Sequence, residues 1–582
     1  MRASGKSIME TSAWKRSKMR RSLILLTLIL TGAVCYAAPV GMEKARKTAQ
    51  QVLGHAVTMN VDAHAQETKS RGGVGAPAYY VFSREEGGGF AIISGESTLP
   101  AVVAYSDQNE FSTADNMAPA LVDFLHAYAA LVTDVREGKM VEFAPRRAEA
   151  VPVVEPLCQT QWGQGDPYNA LCPMDGNKRS VAGCVAIALA QILKHHEWPK
   201  TGTGQVTYAS GLTGVGALSV DFSQSTYDWG IMLNTTKELK ADMAAAAAVS
   251  KICYDCGVAT RMEYGASSSG TISDYIIRAM YENFSYKASS IKSLWRDCYA
   301  TQAEWDALWK AELDAGCPVL YSGRGESGGH QFLLDGYDSN GFVHVNWGWN
   351  GSSDGYFDIT LLNATASSSF AEMQSMIVGL EPDYTGEDKV PAPVPPYVMG
   401  AFSLKGSLNL GKEKMVMLAE VGNLTYSGKT WYFGIGLFDL DGNLLKNLTT
   451  QETENTIGSS YIKNSISTRF SIPADTPEGS YIISCIFRQK GYDEWILPDM
   501  VGGAVNNQVY TEIKDGVATF GEIPSSIYNI CVDENLNGSN VRVVAHEYFD
   551  VSGRPVHNVQ KGIVIDRQTL SNGLKIVKKR KF

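Results

Sequence analysis

The sequence predicts a multidomain α+β protein that ends in β structure. Three observations carry that expectation. The chain has 582 residues, more than one hydrophobic core usually organises, so three or four domains are expected. Residues 39–382 mix segments of helical and strand periodicity, whereas those from about 398 onward alternate short β-type runs with turns. Between the two parts, "DYTGEDKVPAPVPPY" (383–397) carries four prolines in six residues, the composition of a stiff linker. A hydrophobic content of 44% with 19% charged residues suits a folded chain. A net charge of −10 without an interior basic patch argues against nucleic acid as the main partner.

The N-terminus comes first. Lys15, Arg16, Lys18, Arg20 and Arg21 precede the apolar run "SLILLTLILTGAV" (22–34), which is too short to span a bilayer comfortably. Small residues follow, with Ala37 or Ala38 at position −1 of a cleavage site, so 1–38 reads as a secretory signal peptide. Val34 fits a lipobox poorly, which disfavours lipid attachment at Cys35. A signal beginning at Met19 would have a more ordinary length.

Residues 39–150 form the next unit. "MEKARKTAQQVLG" has helical character, and "AYYVFSREEGGGFAIISGES" reads as two strands joined at Glu85–Gly89. "APALVDFLHAYAALVTDVREG" is a second amphipathic helix. "EFAPRRAEAVPVV" (142–154), with Arg146 and Arg147, reads as an exposed connection open to proteolysis. In 151–382 the longest buried helix candidate is "SVAGCVAIALAQILKHH", ended by Pro199. Later, "GGHQFLLDGYDSNGFVHVNWGWNGSSDGYF" reads as two strands around an Asn340-Gly341 hairpin turn. Residues 398–515 read as a β-sandwich, and 525–582 as a further β module with the basic end "KIVKKRKF".

Export permits disulfides. Of ten cysteines, loss of Cys35 with the signal leaves nine, so at least one lacks an intrachain partner. Cys158–Cys172 is a candidate bridge enclosing Asp166-Pro167. Cys253-x-x-Cys256 has no second pair or nearby histidines, which argues against zinc; no metal or other cofactor is expected.

Cys184 follows Gly183 at the expected start of a helix. There the macrodipole and unpaired N–H groups lower a thiol pKa and can also receive an oxyanion. A buried core cysteine is the plainer alternative. A thiolate nucleophile needs a proton partner. His195 and His196 lie roughly 17 Å along the same helix, out of reach. His55, His64 and His126 fall in the preceding unit, and His546 and His557 in the tail. His330, after two glycines that allow close approach of a ligand, and His344, within a strand, remain. Asn346 could orient the imidazole and Trp347 shield that bond, although "NWGWNG" could equally be aromatic core plus a turn.

The pieces "QGDPYNALCP", "AGCVAIALAQILKHHEWP", "MEYGASSSG", "GGHQFLLDGYD" and "HVNWGWNGSSDGYF" occur in one order across 151–382. Together they resemble the streptopain-like cysteine peptidases, peptidase family C10, which have a papain-like fold. "YYVFSREEGGGFAIISGE" is similar to that family's pro-domain. The resemblance implies a papain-like catalytic domain at 151–382 behind an inhibitory pro-domain at 39–150. It implies Cys184 as nucleophile, His330 as general base and acid, and Gln164 as side-chain oxyanion donor. Trp347 would belong to the active-site wall and Asn346 would take the orienting position. Tyr264, Gly265, Ser268 and Ser269, with Gly328 and Gly329, would line the substrate cleft.

The expected product is a secreted or cell-surface endopeptidase, made as a latent zymogen, acting on protein and peptide substrates without a cofactor. The tail resembles C-terminal modules of secreted Bacteroidetes proteins, some of which engage a secretion machinery. Two rivals stay open. A transglutaminase-like acyltransferase would want an Asp after the His on a neighbouring strand, and Asp335 lies on the wrong one. A catalytically silent adhesin or inhibitor on the same fold would not need Gln164, Cys184 and His330 together.

Overall fold

The computed structural model describes residues 38–60, 67–69, 75–112, 116–138, 151–325, 328–363, 372–425, 427–459, 461–501 and 507–522, and the backbone of strands at 543–549, 563–570 and 575–581. The signal-peptide reading, Cys35, His64 and the Arg146-Arg147 connection lie outside these residues.

The N-terminal unit has the expected elements. Helix α1 (Met42–Leu53) buries Ala45, Ala49 and Leu53 and ends on Gly54 in the left-handed conformation, φ 66°. Strands β1 (Val57–Met59), β2 (Tyr79–Arg84), β3 (Phe90–Ser94) and β4 (Val102–Ser106) follow. Helix α2 (Pro119–Arg136) starts with a proline, which lacks the N–H a first turn cannot pair. Strand β5 (Pro152–Val154) leads into helix α3 (Cys184–His196) and helix α4 (Met243–Ala259). Strand β6 (Lys292–Trp295) precedes helix α5 (Gln302–Asp314). Strands β7 (Val319–Gly325), β8 (Gly328–Asp338), β9 (Val343–Asn346), β10 (Gly355–Phe357) and β11 (Glu372–Val378) complete this part.

All eleven strands form one sheet, in the order β1-β2-β3-β4-β10-β9-β8-β7-β11-β6, with β5 paired to β8. The join is β4 against β10, where Tyr105 faces Tyr356 and Ala104 faces Phe357. The N-terminal unit therefore does not sit beside the later one as a separate body: its sheet continues the other's. One apolar cluster also crosses the join, uniting Leu121, Phe124 and Tyr128 of α2 with Phe332, Trp347 and Phe357. A second cluster, of α3, α4 and the segments around them, makes the helical half. The cleft-forming geometry follows: the start of α3 meets β8 where the helical half abuts the sheet.

The expected hairpin at Asn340-Gly341 is present. Gly341 has φ 81°, and Asp338 Oδ1 accepts from Asn340 N and Phe342 N at 2.8 and 2.9 Å. The 391–396 prolines are held against the C-terminal part: Trp431 Nε1 donates to Val394 O at 2.9 Å, and Val394 N to Gln489 Oε1 at 2.7 Å. Beyond them, a five-stranded and a seven-stranded sheet enclose one apolar cluster that includes Trp431, Phe433, Phe470 and Phe487. The expected boundary at 515 falls on a hairpin turn, because Asp515-Gly516 has φ of 51° and 72° and links strands 508–514 and 517–521. Strands 543–549, 563–570 and 575–581 pair antiparallel. Among the described residues, no helix is long and apolar enough to cross a membrane.

Candidate active site

Helix α3 starts at Cys184 because Gly183 takes φ 91° and ψ 141°. A side chain there would be strained and would also meet the Met262 side chain at 2.9 Å and the Ser269 carbonyl oxygen at 3.1 Å. The helix then buries Val185 to Leu193 without a break and ends in Lys194, His195 and His196, which suit its negative C-terminal pole. His195 is occupied there, with its ring nitrogens 3.0 Å from Leu157 O and 2.9 Å from Gly316 O.

The Cys184 thiol departs from the helix-start expectation. Withdrawal from water pushes its pKa up, and the backbone N–H groups of Gln331, Val185 and Cys184 itself only partly offset this. Partial burial thus outweighs these backbone donors in this state of the chain. Gln331 directly follows His330, so the same contact brings β8 to the sulfur.

Gln164 lies in the loop that approaches the helix start: its carbonyl accepts from Ala182 N at 2.9 Å. Trp162, two residues earlier, is fully buried and donates from Nε1 to Leu233 O at 2.9 Å. Gly163 passes so close to Asn350 that a Cβ would lie 2.2 Å from its Oδ1.

His330 stands on β8 opposite Gly323. Its Nε2 lies 3.5 Å from Oδ2 of Asp123, a residue of α2 whose side chain is 1% exposed. Burial lowers the imidazole pKa, and the Asp123 carboxylate opposes that shift. The helix presses on the sheet here, since a Cβ on Gly325 would meet the Asp123 carboxyl at 2.3 Å.

Asn346 does not match the simple orienting role. Its Nδ2 donates to Thr160 O at 2.8 Å and to Gln191 Oε1 at 3.2 Å, while its Oδ1 accepts from Gln191 Nε2 at 3.2 Å and Gly348 N at 3.0 Å. These bonds occupy the amide with α3 and the 158–164 segment. Gln191, fully buried in the middle of α3, is the hub: its Oε1 also accepts from Thr160 Oγ1 at 3.0 Å and Trp162 N at 3.3 Å. Trp347 is 4% exposed, packs on Phe332 and Phe357 at 4.9 and 5.0 Å between ring centroids, and donates to Ser353 O. In this state it is core beneath α2.

His344, the other strand histidine, is structural. Its Nδ1 lies 2.6 Å from Oδ1 of the fully buried Asp335, which also accepts from Cys158 N. Asp335 raises the His344 pKa against the effect of burial. Asp335 thus serves His344, which removes the acid a transglutaminase-like triad would draw on.

The 263–270 loop flanks the nucleophile candidate's approach. Gly265 O accepts from Val181 N at 3.1 Å, and Ser269 Oγ donates to Val181 O at 2.7 Å while accepting from Gly265 N. Ser268 is exposed. Tyr264 differs from the cleft-lining expectation: it is 6% exposed, stacks on Tyr254 at 6.4 Å and packs so close to Gly257 that a Cβ there would lie 2.1 Å from its hydroxyl. Its neighbours on the tight turn face the loop, so its ring turns into the core. Gly328 and Gly329 have open space where a side chain would stand.

Comparison with known proteins identifies relatives of both the N-terminal unit and the part that carries Cys184 and His330. The profile of the peptidase C10 family matches residues 162–357, and that of the Spi protease inhibitor matches residues 37–132. Streptopain of Streptococcus pyogenes is 29% identical over 406 residues, covering 63% of this chain and all of that protein. The chain belongs to the peptidase C10 family. It is a cysteine-type peptidase whose N-terminal unit resembles a protease inhibitor. The thiol protease/hemagglutinin PrtT of Porphyromonas gingivalis is 29% identical over 372 residues, 60% of this C10 peptidase and 42% of that protein. Among solved structures, a prointerpain A fragment of Prevotella intermedia is 31% identical, with a TM-score of 0.48, and is covered completely by 56% of this chain. Active interpain A from the same organism is 35% identical, with a TM-score of 0.36; the match covers 41% of this chain and 99% of that one.

In this C10 peptidase the eight described cysteines are free thiols. Cys158 and Cys172 do not pair: Cys158 sits against Asp335, whereas Cys172 sits among Tyr264, Arg179 and Cys253. Sequence reasoning missed Asp123 and Gln191. Each had a faint signal, as the one acid in the apolar stretch "PALVDFLHAYAALV" and the one amide in "VAIALAQIL".

Proposed function

We propose that this C10 peptidase is an exported endopeptidase made as a zymogen, with Cys184 as nucleophile, His330 as general base and acid, and Gln164 as oxyanion donor. The thiolate attacks a peptide carbonyl, and His330 protonates the leaving amine. Water then hydrolyses the thioester. The oxyanion is received by the Gln164 amide and the Cys184 backbone N–H at the helix start. The observation that carries the zymogen reading is the Asp123 carboxylate against His330, delivered by a helix of the inhibitor-like unit. With α2 in place, His330 faces an acid of its own chain.

The β-sandwich reading of 398–515, carried to 521 by the hairpin at Asp515-Gly516, and the secretion role of the basic tail belong to the same proposal. Two sheets around one apolar core support the former. The alternative acyltransferase is disfavoured by the Asp335–His344 pair.

The test is to purify the precursor, sever it between residues 139 and 150, separate or degrade residues 38–138, and follow casein hydrolysis with N-terminal sequencing of the products. A cut after Val151 would disturb β5, whose Val154 pairs with Tyr337 and Pro152 with Asp338. The new N-terminus is therefore expected at or before Val151. Amine incorporation in place of hydrolysis would favour the acyltransferase.

Two predictions concern the machinery. Gln164→Ala lowers kcat by about 10²–10³-fold with a smaller change in KM, because the oxyanion exists only on the reaction path. An unchanged kcat removes Gln164 from the site. Gln191→Ala lowers kcat by roughly 10-fold or more, since the loop carrying Gln164 loses its anchor to α3 and small misplacements are costly. Its effect largely disappears in the Gln164→Ala background. Equal effects in both backgrounds would mean that Gln191 merely stabilises the fold.

A third concerns pH. With the thiol pKa raised, the precursor's Cys184 is mainly protonated near neutrality, so iodoacetamide labelling is slow and climbs with alkaline pH. Labelling of the processed enzyme reaches its plateau at lower pH. Identical profiles would mean that the inhibitor-like unit does not set the protonation of Cys184.

A further inference from the structure

Glu96 is buried in the turn after β3, and its side chain is 0% exposed. The turn is rigid: Ser94 Oγ accepts from Glu96 N at 2.9 Å and donates to Glu96 O at 2.8 Å. One carboxylate oxygen, Oε2, takes Arg136 Nε at 3.3 Å. The Arg136 guanidinium also donates to the carbonyls of Ala76, Pro77 and Gly95, at 2.9, 3.1 and 2.8 Å. The other oxygen, Oε1, accepts from Ser97 Oγ, Thr98 N and Thr98 Oγ1, each at 3.3 Å. Its shortest bond comes from elsewhere: the backbone nitrogen of Ala38, at 2.7 Å.

The segment that carries this nitrogen is itself held to the turn. Ser97 N donates to Ala38 O at 3.0 Å, and Val40 N to Gly95 O at 2.9 Å. Ser97 Oγ is a second acceptor for the Ala38 nitrogen, at 3.3 Å. An amide nitrogen carries one hydrogen for these two acceptors; an α-ammonium carries three and a full charge. The Spi inhibitor profile also begins to match at residue 37.

We infer that Glu96, Ser97 and the turn around them are a binding site for the chain's own α-ammonium, created when a signal peptidase hydrolyses the Ala37–Ala38 bond. Water completes the Ala37 carboxylate, and the freed Ala38 amine is protonated. This rests on the export reading above, with the cut after Ala37, one residue before the end of the 1–38 segment. A neutral amide on a buried carboxylate then becomes a charge-assisted contact, shorter and stronger in kind. A start at Pro39 would place the ammonium one residue, about 3.8 Å, further along. Because Arg136 closes α2, the same carboxylate ties the new N-terminus to the helix that presents Asp123 to His330. Signal removal thus tightens the inhibitor-like unit.

The test uses the full chain from Ala38 in a Cys184→Ala background, which prevents self-processing. One form has a free Ala38 amine, a second carries N-terminal acetylation, and a third has one glycine added before Ala38. The free amine is expected to raise the melting temperature by about 2 °C or more over both others. Glu96→Gln should erase the difference. If Glu96→Gln does not fold, the comparison of the three N-termini still decides. Equal melting overturns the inference and leaves export untouched. The intact mass of the Cys184→Ala precursor secreted by its own host, before any cut in 139–150, should correspond to a start at Ala38. A start elsewhere overturns the inference alone, whereas a chain that keeps residues 1–37 overturns the export reading with it.

Discussion

Replacing Cys184 by alanine lowers kcat/KM on an unfolded protein such as casein by at least about 10⁴-fold, and His330→Ala does the same. No other described thiol stands at the start of a helix as Cys184 does. Cys158, Cys172, Cys253, Cys256, Cys317 and Cys485 are buried, and burial holds each thiol above its ordinary pKa. Cys298, at the other end of the strand–helix connection before α5, is likewise raised, with Asp499 and Asp297 opposing its ionisation. The two single variants should be nearly as inactive as the double, since nucleophile and base act as one unit. The assay needs processed protein with an unchanged melting profile. Substantial hydrolysis by a well-folded Cys184→Ala protein would end the assignment, and so would failure of a thiol-directed epoxide to add mass at Cys184 in active enzyme.

The second large effect is latency, and here the fold changes the expected course. Severing 139–150 by itself leaves the peptidase inactive. The linker contributes effective concentration, but the inhibitor-like unit is held by more than its tether. Its sheet is continuous with the catalytic one through β4 and β10, and Tyr105 donates to Asp338 Oδ2 at 2.8 Å. Ser112 N donates to Ser353 Oγ at 2.9 Å, and Gln161 Nε2 to Asn109 Oδ1 at the same distance. Leu121 and Phe124 share a core with Phe332 and Trp347. Nicked protein should therefore run as one complex on gel filtration, with about a tenth or less of the activity that appears once residues 38–138 are degraded or separated. Asp123→Ala in the intact precursor should raise Cys184 labelling severalfold while leaving the interface assembled. Full activity in a precursor that retains 38–138 would overturn latency and leave the catalytic pair untouched.

Several elements were legible in the chain because their causes are local. Gly54 ends α1, Pro119 opens α2, Glu85–Gly89 turns β2 into β3, and Asn340-Gly341 turns β8 into β9. Gly183 before an apolar helix marked Cys184, and the ordered set of family pieces supplied His330 and Gln164. Asn346 and Tyr264 were placed less well, because an amide or phenol has the same local signature whether it faces a cleft or a core.

The sequence by itself determined the family, the cysteine-type peptidase chemistry and the succession of helices and hairpins, since each is written in residue types at fixed spacing. Only the tertiary structure decided which groups meet. It set Asp123 on His330 from more than 200 positions away, gave Asp335 to His344, and tied Gln191 to Asn346. It also reversed the expected direction of the Cys184 pKa. A helix N-terminus stabilises a thiolate through neighbours in the chain, but the loss of water around that thiolate is imposed by segments remote in sequence, and in this state of the molecule the remote effect is the larger.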